Sequence, residues 1–199
     1  KVFNMKRLLL ILILTFSFQL VAKADDIRDF QIEGMSIGDS LLDFFDEKKI
    51  SNSVVDWYDS LEKNRYLSLA FDSSKFTKYD FVDIWTKYDD KEFKIVAIAG
   101  VNYFGKDSLI ADIDECYLEQ INIANEISKL FINSKIDGPH KIIHTDDPSG
   151  NSTYTDIYFK IDEDYEALVS CYDWNDDLEN KGDHIYITLR SFEFEKWLP

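Results

Sequence analysis

Three side chains in this 199-residue chain have types and spacings that could do acyl-transfer chemistry. Ser40 stands in the run Gly-Asp-Ser-Leu at 38–41, and Asp137 precedes His140 by three residues. A serine hydroxyl becomes a nucleophile when it lies within reach of a histidine that an acid orients, facing preorganised hydrogen-bond donors. The sequence therefore raises the question of whether these residues form a hydrolytic site.

The run at 38–41 resembles the first block of the GDSL, or SGNH, hydrolases. This resemblance implies that Ser40 is a nucleophile, that Asn102 in the run Gly-Val-Asn-Tyr contributes to an oxyanion hole, and that Asp137 with His140 supplies the base. It also implies a parallel α/β sandwich, in which strands and helices alternate along the chain.

The context of Ser40 differs from that family pattern. The preceding run Asp-Phe-Gln-Ile-Glu-Gly-Met-Ser is not a continuous apolar strand, and the chain predicts hairpins rather than alternating strands and helices. Ser36 and Asp39 have the spacing of a helix capping box, which explains the local polar residues without catalysis. We therefore expect no catalytic residue, and the esterase using Ser40, Asn102, Asp137 and His140 is the alternative.

The histidines and the aromatic residues give no further coherent site. Of the three histidines, His140 and His144 are four residues apart, but they lie in a segment flanked by proline rather than in a helix. We therefore expect no metal and no cofactor. The four Trp, eleven Tyr and fifteen Phe could line a ligand cleft. In an exported domain such residues more often belong to the core, so the aromatic cleft is an alternative interpretation.

Hydrophobic periodicity predicts helices in three places and strands in six. Helical spacing of apolar residues appears from Ser36 to Phe45, at 53–63 and at 112–133. Strand patterns appear at 65–71, 79–87, 92–101, 153–161, 165–174 and 184–192. Tight turns make neighbouring strands antiparallel. The predicted fold class is α+β, with about six strands in one or two sheets, two or three helices on one face, and the order α(α)βββ–αβββ.

The N-terminus has the pattern of a secretory signal peptide. Lys6 and Arg7 precede an apolar run, and Ala22-Lys23-Ala24 provides a cleavage site. The apolar run is short for a permanent membrane anchor, which needs about 20 residues. We expect a signal peptide at 1–24, a single α+β domain at 25–199, and a periplasmic or secreted protein without a stable anchor.

A weak internal similarity allows a finer division of that domain. The runs at 39–47 and 107–115 share Asp, Ser, Leu, Asp and Glu at a constant offset. This similarity allows two αβββ halves, at 25–105 and 106–199.

Charge and cysteine content restrict the partners and the compartment. The formal net charge is −16, so the protein repels phosphate backbones and we expect no nucleic-acid partner. Cys116 and Cys171 are the two cysteines, and in an oxidising compartment an isolated pair predicts a disulfide. Two buried thiols or a reactive thiolate are the alternatives.

The runs Ile-Glu-Gly-Met-Ser-Ile-Gly-Asp-Ser-Leu-Leu-Asp-Phe-Phe at 32–45 and Cys-Tyr-Asp-Trp at 171–174 resemble an uncharacterised family of small exported proteins of marine alphaproteobacteria. The resemblance implies export but brings no activity and no site residues. We predict a non-catalytic binding or envelope-interaction module with an unknown protein or small-molecule partner. A serine esterase and a small-ligand carrier with an aromatic cleft are the alternatives.

Overall fold

The computed structural model describes residues 26–57, 65–72, 76–104, 113–178 and 181–198. The described helices are α1 (Glu47–Asn52), α2 (Ile113–Leu130) and α3 (Phe192–Glu195), with 3₁₀ turns at Ile27–Asp29 and Leu41–Asp43. The described strands are β1 (Val54–Val55), β2 (Tyr66–Asp72), β3 (Phe81–Lys87), β4 (Ile95–Tyr103), β5 (Lys135–Ile143), β6 (Thr153–Lys160), β7 (Tyr165–Asp173) and β8 (His184–Ser191). None of the described helices is long and apolar enough to span a bilayer.

All eight strands belong to one antiparallel sheet with the order β1-β2-β3-β4-β8-β7-β6-β5. Strands β1 to β4 and β5 to β8 each follow one another along the sheet, and α2 connects the two runs. The runs meet where β4 pairs with β8, with Ala99 opposite Thr188. Strands from both predicted halves therefore form one sheet. The signal peptide and residues 107–112 of the possible repeat lie outside the described residues.

The predicted fold class is wrong. The protein is dominated by an eight-stranded antiparallel sheet with one long helix, whereas the sequence predicted an α+β fold with about six strands and two or three packed helices. Strands β1 and β5 are the additional ones. The first lies in a segment expected to be helical, and the second lies in a segment expected to be a turn.

Strand β5 was missed because Gly138 and Pro139 are residues typical of turns. In the structure they form an irregularity in the pairing with β6, between Asp137 and His140. Gly138 has φ +121°, and a Cβ there would lie 2.5 Å from the carbonyl oxygen of Asp156. A bulge of this kind keeps the strand in the sheet while it absorbs residues that cannot follow the regular ladder.

The first predicted helix is reduced to one 3₁₀ turn, Leu41–Asp43. Gly38 has φ +87°, in the left-handed region, so the chain turns where the helix was expected to propagate. One half of the predicted capping box forms, because the Ser36 N–H donates to Asp39 Oδ2 at 2.9 Å. The Ser36 hydroxyl instead donates to the carbonyl of Phe30 at 3.0 Å.

The six predicted strands correspond to β2, β3, β4, β6, β7 and β8 within a few residues, and the long predicted helix corresponds to α2. Helix α2 packs on β6, β7 and β8. Cys116 and Ile127 are fully buried on it, as the spacing predicted. Gln120 is buried as well, and its amide donates to the carbonyls of Thr155 and Val169, which ties the helix to the sheet.

We call the sheet surface under α2 the core face and the opposite surface the open face. The core face carries the main apolar cluster, which also takes in Ile27, Ile32 and Leu41 from the N-terminal segment. On the open face, Phe194 of α3 packs with Trp85 and the small residues Ala97 and Ala99. The remainder of the open face is polar and aromatic, and it holds the candidate site.

Candidate functional site

The candidate site is a groove of about 430 Å³ on the open face, which we call the open-face groove. Its lining includes Asp83 and Trp85 from β3, Tyr172 from β7 and Tyr186 from β8. Successive side chains of a strand point to opposite faces, so alternate residues of the central strands converge on this one surface. The volume lies in the range typical of sites for small organic molecules.

The groove has space for a ligand because the side chains of β4 that face it are short. Ala97 lies between Trp85 of β3 and Arg190 of β8, and Ala99 lies between Asp83 and Thr188. Larger side chains therefore stand on both sides of two alanines. Helix α3 bounds this end, where Phe194 packs with Trp85 at 5.3 Å between ring centroids.

A row of aromatic rings crosses four neighbouring strands beside the groove. Tyr154 stacks on Tyr172 with centroids 5.4 Å apart, and Tyr172 stacks on His184 at 4.5 Å with an interplanar angle of 12°. Tyr103 lies 5.3 Å from His184 on the next strand. Cross-strand pairs of this kind stabilise a sheet and, where they are half-buried, also present ring faces to a ligand.

A second aromatic group forms the wall at the end of β7. His144 lies 4.2 Å from Trp174 between centroids. The Lys181 ammonium lies 4.4 Å from the centroid of the same indole, within the range of a cation–π contact. This wall therefore places a positive charge over an aromatic face at the mouth of the groove.

Asp83 is the most unusual group in the groove. Its side chain is 6 % exposed, and it accepts a hydrogen bond from the Tyr186 hydroxyl. Burial raises the pKa of Asp83 to about 7, although the hydrogen bond from Tyr186 acts in the opposite direction. Among the described residues, no Lys, Arg or His side chain forms an ion pair with it.

The hydrogen bond and the burial of His184 determine which of its ring nitrogens carries the proton. Its Nδ1 lies 2.8 Å from the carbonyl oxygen of Gly182, which can only accept, so Nδ1 carries the proton. Burial lowers the pKa of His184, which favours the neutral ring. The Nε2 of this neutral tautomer is an acceptor on a residue that lines the groove.

Two buried donors of the lining lack a protein partner. The indole nitrogens of Trp85 and Trp174 have no hydrogen-bond partner, although the side chains are only 3 % and 8 % exposed. Most buried polar groups in native proteins are hydrogen-bonded, so unpaired donors call for an explanation. Both nitrogens are shielded from solvent and therefore from the groove as well.

Arg190 is neutralised within the protein. Its Nε and Nη2 lie 2.7 Å and 2.6 Å from Glu166 Oε1 on the neighbouring strand, and both side chains are largely buried. A buried pair of this kind has little charge left for a ligand. Lys181 is therefore the more available cation of the lining.

The structure places Ser40 away from a histidine. Its hydroxyl donates to the Glu92 carbonyl at 2.6 Å and accepts from the Leu42 N–H at 3.3 Å, which caps the 3₁₀ turn. Ser40 bridges to Lys94, immediately before β4, whereas His140 lies on edge strand β5. Four strand spacings separate β4 from β5, which is about 19 Å.

Of the other residues of the predicted esterase site, the structure brings two together and leaves the third apart. Asp137 and His140 do come together, with Oδ1 and Nε2 2.9 Å apart on the exposed edge strand. Asn102 lies near the far end of β4, where its Oδ1 accepts from the Asp80 N–H at 3.0 Å. The structure thus unites the acid and the histidine but brings neither Ser40 nor Asn102 to them.

Cys116 of α2 and Cys171 of β7 lie at disulfide distance, with their Cα atoms 6.0 Å apart. Both are fully buried on the core face, so the pair connects the long helix to an inner strand of the sheet. Within the described ranges, no group of three or more His, Cys, Asp or Glu side chains is arranged to hold a metal ion.

Sequence reasoning missed the groove and its key residue. The signal available was Asp83, a single acid within the otherwise apolar run Phe-Val-Asp-Ile-Trp at 81–85. A charged residue on a central strand must find a partner or a function, because burying it alone is costly. The sequence allowed the aromatic residues to form either the core or a ligand cleft, and they do both. Phe71 and Phe159 belong to the core, whereas Trp85 and Tyr172 line the groove.

Comparison of the chain with models of protein families, with curated proteins and with solved structures found no match.

Proposed function

We propose that the protein is a non-catalytic binding protein that holds a small organic molecule in the open-face groove. The observation that carries this proposal is the buried carboxyl of Asp83, which lines a groove bordered by aromatic rings. Burying such a group costs stability, so its retention on an inner strand indicates a purpose other than folding. Ligand binding is the purpose that a groove of about 430 Å³ supports.

The aromatic lining supports the same function. Rings on β3, β7 and β8 offer flat apolar area, and a few polar groups between them fix the orientation of a ligand, which is the usual composition of a small-molecule site. The ring of Tyr172 is held between Tyr154 and His184, so the platform is already ordered before a ligand arrives. Such preorganisation reduces the entropy cost of binding.

We also propose that the protein works outside the cytoplasm, in the periplasm or after secretion. Two features support this proposal: the predicted signal peptide at 1–24, and the buried cysteine pair at disulfide distance. Disulfides persist in oxidising compartments and are rare in the cytosol. Thiol alkylation of protein unfolded without reductant tests it, and labelling of both cysteines would contradict it.

The binding proposal is tested with ¹⁵N-labelled protein and a mixture of neutral, cationic and anionic small molecules. We expect at least one compound to shift the indole N–H signals of Trp85 and Trp174, which are assigned through Trp→Phe variants. Tyr172→Ala removes the centre of the platform, and we expect it to weaken that binding about tenfold or more.

The matched control is Tyr88→Ala. Tyr88 is 54 % exposed in the turn between β3 and β4 and does not line the groove. Its removal should leave binding unchanged. If no compound class shifts the indole signals, or if both Tyr variants weaken binding equally, the open-face groove is not a ligand site.

A further inference from the structure

The carboxyl of Asp83 restricts the ligand class of the open-face groove, and this inference rests on the proposed function. Asp83 Oδ2 accepts from the Tyr186 hydroxyl, whereas Oδ1 has no hydrogen bond among the described residues. Asp156 Oδ1 is unpaired and fully buried, but Asp83 Oδ1 is not fully shielded from solvent. Because Asp83 lines the groove, its Oδ1 is an acceptor that a ligand can reach.

The immediate neighbours of Asp83 on the sheet carry no charge. Asp83 pairs with Ala70 of β2 and with Ala99 of β4, and Ala99 pairs in turn with Thr188 of β8. Burial and the hydrogen bond from Tyr186 are the influences that move the pKa of Asp83, and no cationic side chain of the described residues is among them. The groove therefore holds a carboxyl without a counterion, and the alanines on both sides leave space above it.

The two cations of the described lining are engaged elsewhere. The Nη2 of Arg190 lies 2.6 Å from Glu166 Oε1. The Lys181 ammonium lies over Trp174, which directly follows β7, and three strand spacings, about 14 Å, separate β7 from β3. An anionic ligand would compete with Glu166 for the guanidinium and would be repelled by the carboxylate of Asp83.

A ring face of this groove already holds an ammonium. The Lys181 Nζ lies 4.4 Å from the centroid of the Trp174 ring, and the quadrupole of such a ring attracts cations. Beside the free carboxyl the rings are those of Tyr186, which is bonded to it, and of Trp85, two residues further along β3. The exposed ring of Trp57 lies 6.1 Å from that of Trp85. These rings offer the same kind of surface to a cationic ligand.

A positive charge on the ligand supplies what the carboxyl lacks. An uncharged ligand would cover Oδ1 and leave the buried acid without a counterion, so the cost of burying it would remain. An ammonium N–H neutralises the carboxylate through a charge-assisted hydrogen bond, and the net charge of −16 attracts cations to the protein. We propose that the open-face groove binds a small organic amine in its ammonium form, with an N–H on Asp83 Oδ1 and the apolar part among the rings of Trp57 and Trp85.

The test uses the full chain and three sets of probes that share a benzene ring. The sets are benzylamine with 2-phenylethylamine, benzyl alcohol with 2-phenylethanol, and benzoate with phenylacetate. Saturation-transfer NMR on the probes detects binding, and the indole N–H signal of Trp57, assigned through Trp57→Phe, locates it in the groove. At pH 8 we expect the amines to bind about tenfold or more tightly than the alcohols, and the carboxylates to leave the Trp57 signal unchanged.

Asp83→Asn keeps the size of the side chain and removes its charge. We expect this variant to bind the amines about tenfold or more weakly and the alcohols unchanged. Asp89→Asn is the matched control, because it removes one negative charge at an exposed turn position that does not line the groove. It should bind every probe as the unchanged protein does. Circular dichroism and the melting temperature confirm that both variants are folded.

The pH dependence of binding is a second measurement, made on the unchanged protein. The carboxylate form of Asp83 is the form that neutralises an ammonium. Since the pKa of Asp83 is about 7, we expect amine affinity to be about 30-fold higher at pH 8 than at pH 5.5. His144 and His184 also line the groove and repel a cation when protonated, although burial lowers the pKa of both. Asp83→Asn retains their contribution, so the difference between the two proteins isolates Asp83.

The outcomes separate this inference from the proposed function. If the alcohols or carboxylates shift the Trp57 signal and the amines bind no more tightly than they do, the ammonium class is overturned while the groove remains a ligand site. If no probe of any set shifts that signal, both proposals are overturned. If the amines bind the unchanged protein and Asp83→Asn equally at pH 8, or bind the unchanged protein equally at both pH values, the contact with Asp83 is overturned.

Discussion

The core face and the open face of the sheet are built from the same strands but contain different kinds of side chain. On β7, Val169 points into the apolar cluster under α2, whereas Ser170 and Tyr172 point to the groove. On β8, Ile187 and Tyr186 divide in the same way. Because the side-chain period of a strand is two, one segment of sequence supplies both a core and a binding surface.

The two faces contribute to the free energy of unfolding with opposite signs. The core face buries apolar side chains and two cysteines at disulfide distance, all of which favour the folded state. The open face keeps a buried carboxyl and unpaired indole donors, which oppose it. We infer that packing on the core face offsets the stability lost by burying polar groups in the groove, as is common in proteins with functional sites.

The largest expected effect compares two aromatic residues of β6 that point to opposite faces. Phe159 is fully buried on the core face, so we expect Phe159→Ala to lower the free energy of unfolding by about 3–5 kcal/mol. Tyr154 is half-buried on the open face, and Tyr154→Ala should cost about 1 kcal/mol or less. Urea unfolding of both variants measures the difference, and equal losses would break the comparison between the faces.

The second prediction concerns the pH dependence that Asp83 gives to the open face. Its folded pKa of about 7 lies above the ordinary value of 3.8, so between these pH values the native state holds a proton that the unfolded chain has released. Stability from this group is therefore greatest at low pH and falls as the pH rises toward 7, by up to about 4 kcal/mol.

Asp83→Asn removes that dependence. The stability of the variant relative to the unchanged protein should rise between pH 4.5 and pH 8, as measured by urea unfolding at both values. The matched control is Asp89→Asn, an exposed acid in the turn after β3, which should show no such rise. A constant difference between the Asp83 variant and the unchanged protein at both pH values would contradict the role assigned to burial.

The third prediction tests the covalent link on the core face. We expect replacing both Cys116 and Cys171 by Ala to lower the free energy of unfolding by about 2–4 kcal/mol, because the bond restricts the unfolded chain. Unfolding of the unchanged protein with a strong reductant should show a comparable loss. If reductant leaves the urea midpoint unchanged, the link does not contribute and the stability of the core face rests on packing alone.

The smallest expected effect is on the open face, at Lys181. Lys181→Met removes the ammonium above Trp174 but keeps a long apolar side chain, and we expect a loss of about 0.5–1 kcal/mol. Lys91→Met, at an exposed position in the turn between β3 and β4, is the control and should be neutral. A loss as large as that of Phe159→Ala would show that the open face is as important to stability as the core.

Local sequence patterns predicted six of the eight strands and the long helix, because alternation and helical spacing report which side of an element is buried. They failed where a local signal competed with tertiary pairing. Gly138 and Pro139 have the chemistry of a turn, yet β6 holds them in an edge strand through a bulge. Gly38 ended the first predicted helix after the capping residues had suggested its start.

The candidate site was less predictable than the fold. The letters at 38–41 suggested chemistry, but Ser40 caps a turn and His140 lies on the opposite part of the sheet. The groove instead combines Asp83, Tyr172 and Lys181, which are far apart along the chain. No spacing rule joins such residues, because only the pairing of β4 with β8 brings the two runs of strands side by side.

The sequence by itself determined the strongly acidic charge, the buried stripe of α2, the cysteine pair and the alternation of most strands, because these depend on residue types and on neighbours close in the chain. Tertiary structure alone decided that two four-stranded runs join into one sheet and that alanines of β4 lie between larger groups of β3 and β8. The physical reason is that a groove is formed by side chains from strands distant in sequence, and their contact is fixed only when the backbone hydrogen bonds between those strands form.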